Sequence, residues 1–134
     1  MKTKSIIRKE APVARKVSAS HKNTLSFGFS ELRDISFIKA KNDATYFIAF
    51  LQRLRQYSSL DWNTLYTTQK HGFGTENIEV DSLTDSARRQ LTFDIKKLIV
   101  LRSKGDNHAF LGFRDNDVFQ VVFIEYKFGD IYNH

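Results

Sequence analysis

Three apolar runs follow one another in the last third of this chain, and they limit what it can fold into more than any other feature. Lys96–Arg102 is the first, His108–Arg114 the second and Val118–Tyr126 the third. Between them lie Ser103-Lys104-Gly105-Asp106-Asn107 and the shorter Asp115-Asn116-Asp117. Glycine, asparagine and aspartate between β-branched and aromatic runs are a hairpin signal, because these residues adopt turn conformations that would strain other side chains. The pattern predicts an antiparallel three-stranded meander, with polar and titratable groups at its ends.

The rest of the chain must supply what covers that sheet. Leu25, Phe27 and Phe29 alternate with Ser26, Gly28 and Ser30, the period of a half-buried strand. Glu31–Ala40 reads either as a strand end or as a loop packed on the core. Asp43 is a good helix N-cap, and Phe47, Phe50, Leu51, Leu54 and Tyr57 follow it at the spacing of a buried helical stripe. Ser58-Ser59 interrupts, and Ser59 or Asp61 caps a shorter helix carrying Trp62, Leu65 and Tyr66. Residues 67–75 form a loop, Asn77–Val80 a short strand, and Asp81–Gln90 a short helix or long turn. The expected class is α+β: a small single domain over residues 24–134, with a helical pair packed on one face of an antiparallel sheet that ends in the meander.

Charge is distributed unevenly. Residues 1–24 hold seven basic side chains and one acid, Glu10. Of the 21 basic and 15 acidic residues in the chain, 14 of each are left for residues 25–134, which carry no formal net charge. Residues 1–23, with the only proline, read as a basic flexible arm suited to phosphates at low salt. The absence of cysteine excludes disulfides, thiolate metal sites and a cysteine nucleophile. No apolar run reaches the roughly 18 residues needed to span a bilayer, so no membrane association is expected and the cytoplasm is the expected location.

Few established catalytic signatures fit. The four histidines are scattered, without the spacing of a helical zinc motif. Gly72 and Gly74 flank Phe73 without the Gly-Lys-Ser/Thr ending of a phosphate loop, and Asp115 and Asp117 are better explained as turn formers than as an acid/base pair. What remains suits cofactor-free phosphate chemistry. Cleavage of RNA through its own 2′-hydroxyl needs a base for that hydroxyl, a cation for the charged phosphorane and an acid for the leaving 5′-oxygen. Glu76 or His71 can serve as base, Arg102 as phosphate clamp, and His134 or Tyr132 as acid. Lys70, Arg88, Arg89 and Arg114 are the candidate contacts to the RNA backbone.

In element order, in small size and in the residues near position 134, the chain resembles the RelE/YoeB-like toxin ribonucleases of bacterial toxin–antitoxin modules. The pattern spans roughly residues 24–134. Glu76 or Glu79 would correspond to the glutamate that precedes the meander in YoeB-like members, and Arg102 to the arginine within it. Tyr132 and His134 would correspond to their histidine–tyrosine pair, in reversed order and with Asn133 between them. The resemblance implies metal-independent cleavage of mRNA with the ribosome as a partner, and an antitoxin protein that holds the activity in check. The uncharged domain and the glycine-bearing loop around Glu76 depart from the pattern. Two non-catalytic readings stand beside it. One is a binding module that uses the arm on nucleic acid. The other is an accessory protein of a mobile element or defence system, offering a meander edge to a partner strand.

Overall fold

A computed structural model describes residues 24–67, 75–103 and 108–134. The expected basic arm, residues 1–23, lies outside them, as do His71 and Lys70. The elements are β1 (Ser26–Gly28), α1 (Ile35–Ile38), α2 (Ala44–Tyr57), α3 (Trp62–Thr67), β2 (Glu76–Glu79), a 3-10 turn (Val80–Ser82), α4 (Asp85–Arg89), β3 (Lys97–Arg102), β4 (Ala109–Asp115) and β5 (Val118–Ile124). The α+β class and the meander are as expected. No helix among the described residues is long and apolar enough to cross a membrane.

The strand order is β1-β5-β4-β3-β2. The meander supplies the antiparallel centre and β2 extends it antiparallel to β3, but β1 pairs parallel to β5, so the sheet is mixed. The sheet is mostly antiparallel, as expected, with β1 its one parallel neighbour among the described strands. The meander edges are not exposed either, because β1 covers β5 and β2 covers β3. Beyond β1, the amide of Arg33 donates to the Val122 carbonyl and the Ser36 hydroxyl accepts from the Ile124 amide. Those bonds occupy backbone groups that a free edge would leave bare.

Both faces of the sheet are buried. On one, Phe110, Phe119, Val121 and Leu101 pack against Tyr46, Phe50, Leu54 and Tyr57 of α2 and against Trp62 and Leu65 of α3. On the other, Leu98, Val100, Leu111 and Phe123 pack with Leu83, Ala87, Ile131 and Tyr132. The helical pair therefore covers one face as expected, while α4 and the segment around residue 131 cover the second. Two covered faces also explain why β3 and β5 read as nearly continuous apolar runs.

Within α2, the Asp43 side chain accepts from the Tyr46 amide, as an N-cap should. Phe50, Leu54 and Tyr57 form the buried stripe as expected, with Phe47 partly buried beside them; Tyr46 and Arg53 join it, whereas Leu51 is 63 % exposed. Residues 31–40 contain the short helix α1 rather than a strand end. A bulge between Leu111 and Gly112 shifts the β4–β5 register, moving the partner from Phe123 to Val121. A Cβ on Gly112 would lie 1.9 Å from the Gln120 carbonyl oxygen, so only glycine permits the two strands to approach this closely.

Candidate active site

The groups singled out for phosphate chemistry come from separate stretches of chain, and the sheet brings several of them together. Glu76 opens β2 and stands opposite Val100. Since alternate residues of a strand share a face, Arg102 is the diagonal neighbour of Glu76 on that side. The structure thus corrects the loop assignment for Glu76, which is a strand residue with defined register. Arg102 Nη2 donates to Glu76 Oε1 at 2.9 Å.

The backbone of Arg102 is held from the other face. The Tyr57 hydroxyl donates to its carbonyl at 3.0 Å, and Arg53 Nε donates to the same oxygen at 3.2 Å. The Arg102 amide is also within hydrogen-bonding distance of the Tyr57 hydroxyl oxygen, at 3.2 Å. Burial of Arg53, which its polarity alone would not suggest, is explained by this duty and by its guanidinium lying 5.0 Å from the centre of the Tyr57 ring. Helix α2 therefore fixes the root of the arginine while its head projects on the opposite side of the sheet.

Tyr132 reaches that head from the segment after β5. Arg102 Nη1 donates to its hydroxyl oxygen at 3.2 Å. Tyr132 is held in place by a bridge to Leu83, by the Thr84 amide donating to the Ile131 carbonyl and by the Asn133 amide donating to the Ser82 carbonyl. Burial pushes the Tyr132 hydroxyl above its ordinary pKa, with the Arg102 guanidinium pulling the other way. The phenol therefore keeps its proton at neutral pH.

The His134 ring lies against Tyr132 at a centroid distance of 3.9 Å, and against Phe128 at 3.8 Å. Its Nε2 is 2.8 Å from Oε1 of Glu125. The side chain is mostly covered, at 12 % exposure. Glu125 itself is fully buried, and its Oε2 accepts from the amides of Gly129 and Ile131, each at 3.1 Å. Glu125 was not singled out from the sequence. The signal available was a single carboxylate closing the apolar run Val121–Ile124, just before a glycine-bearing turn.

Glu76, Arg102, Tyr132 and His134 thus form one connected cluster, continued inward by Glu125. The other candidates are placed elsewhere. Glu79 pairs with Lys97 on the sheet surface. Arg88 is engaged by Asp85 and Asp81. Arg89 lines a cleft of about 500 Å³ with Ile35, Lys39, Ser86, Gln90 and Asp130. Arg114 lies five residues along β4 from Ala109, the partner of Arg102, which puts it about 17 Å away at the opposite end of the sheet. There it stacks on Trp62 at 4.4 Å and pairs with Asp117. The three arginines therefore do not form one track leading to the cluster. Among the described residues, no group of three or more histidines or carboxylates is placed to hold a metal ion.

No family model matches this chain, and neither the curated proteins nor the solved structures compared with it give a match.

Proposed function

We propose that this protein is a metal-independent endoribonuclease of the RelE/YoeB-like kind. The observation that carries this reading is the meeting of Glu76, Arg102, Tyr132 and His134, chosen for their chemistry and drawn from three stretches of chain, in a single hydrogen-bonded and stacked cluster.

The cluster supplies each part of a 2′-hydroxyl attack. Glu76 uses one carboxylate oxygen to hold Arg102, leaving the other to take the proton from the 2′-hydroxyl. The oxygen so activated attacks phosphorus and the bond to O5′ breaks, giving a 2′,3′-cyclic phosphate and a 5′-hydroxyl. Among the described residues, two of the five N–H donors of Arg102 are engaged, and the remainder face a phosphorane whose charge rises toward the transition state. His134 or Tyr132 returns a proton to O5′. Tyr132 is suited to this because its phenol is protonated at neutral pH.

The substrate is mRNA engaged with the ribosome, and the restraining partner is an antitoxin protein. Ile48 and Leu51, exposed at 56 % and 63 % and three residues apart on one face of α2, favour docking of a protein there. RNA incubated with the purified protein, alone and with translating ribosomes, tests the reading. Wild type should leave cyclic phosphate ends, while Arg102→Ala and His134→Ala should each cut about 10²–10⁴-fold more slowly. A folded wild-type protein that cuts under neither condition refutes it.

A further inference from the structure

Glu125 is the one fully buried acid among the described residues, and its hydrogen bonds are divided in a way that has a chemical consequence. Oε2 takes both backbone amides, from Gly129 and Ile131, and Oε1 is left to His134 Nε2 alone. A carboxylate with no exposure needs every donor it can obtain, because a buried charge without partners is costly. Its demand is met by two fixed amides and one imidazole. Backbone amides can only donate, so the imidazole is the single adjustable partner.

We propose that Glu125 is the positioning residue of the site: its carboxylate accepts a hydrogen bond from the Nε2–H of His134, so that Nδ1 is the ring nitrogen left to exchange a proton with substrate. Phe128 and Tyr132, on the ring at 3.8 and 3.9 Å, keep the imidazole from turning away from Glu125. Glu125 touches no reacting atom and acts through His134. The identity of the substrate rests on the ribonuclease reading, while the assignment of the ring proton does not.

Glu125→Gln tests this without removing the backbone contacts. The glutamine amide oxygen must face the Gly129 and Ile131 amides, since its NH2 cannot accept from them. That turns the NH2 toward His134 and requires Nε2 to become an acceptor. The proton of the neutral ring then moves to Nδ1. Nitrogen-15 spectra of the histidine rings, recorded for the full-length protein at a pH where the rings are neutral, should show His134 protonated on Nε2 in wild type and on Nδ1 in Glu125→Gln. A purely structural role for Glu125 would not reverse the tautomer.

In the cleavage assay, Glu125→Gln should lower kcat by about 10²–10⁴-fold with KM little changed. Adding His134→Ala to it should cost nothing more, because the two residues act as a unit. Reversal of the tautomer with no cleavage by wild type would uphold the positioning of His134 and refute the ribonuclease reading. Nε2 protonation in both proteins, or full activity in a folded Glu125→Gln, would overturn the proposal. Should Glu125→Gln fail to fold, the wild-type spectrum decides: an Nδ1-protonated His134 overturns the proposal and an Nε2-protonated ring upholds it.

Discussion

At the scale of single residues, the site depends on side chains whose polar ends are fixed and whose rings are packed. Phe128 departs from this pattern. It is 55 % exposed although it rests on His134. On the proposed ribonuclease reading, this exposed aromatic face beside His134 is a platform on which a nucleobase can stack, and such stacking is worth about 1–3 kcal/mol per base. Phe128→Ala should therefore raise KM for RNA by about tenfold while leaving folding unchanged, as measured by initial rates over a range of RNA concentrations. Arg102 could be singled out because it ends an apolar run, and Tyr132 and His134 because their titratable side chains follow the last one. Glu125 could not be, because nothing in the residue order shows that a carboxylate after Ile124 turns inward. Two of its three partners are backbone amides, which carry no sequence signature.

At the scale of elements, periodicity located segments more reliably than it located their faces or neighbours. On α2, Phe50, Leu54 and Tyr57 are buried where the spacing put them, but Tyr46 and Arg53 also turn inward, and Leu51, a hundred degrees around the helix from Phe50, points to solvent. Arg53 is charged, yet its stem packs and its head binds the Arg102 carbonyl. The alternation in β1 announced a strand but could not tell a parallel partner from an antiparallel one. Gly112, read as part of a smooth apolar run, marks a bulge and a very close approach of β4 to β5. Gly112→Ala should destabilise the fold by about 3 kcal/mol, since the Gln120 carbonyl cannot move without parting the strands. A lowered urea midpoint with an unchanged slope would measure this.

At the scale of the molecule, the two tyrosines that meet Arg102 make stability depend on alkaline pH. Burial raises the hydroxyl pKa of both Tyr57 and Tyr132 above the ordinary value. A raised value means that folding favours the protonated phenol. The stability this represents is complete below the unfolded value of about 10 and is lost as pH rises through the folded values. Urea denaturation from pH 8 to 11 should show a decline that sets in above about pH 10, and Tyr57→Phe should make that decline shallower. The same molecule-wide connectivity has a consequence for synthesis. Strand β1 ends at Gly28, and its partner position is Gln120. At about 5–20 residues per second, roughly 5–20 seconds separate the appearance of the two. Glu76 and Arg102 likewise emerge well before Glu125, Tyr132 and His134. A nascent chain thus carries Glu76 and Arg102 without the residues that complete their cluster, which cannot close until Tyr132 and His134 have been made.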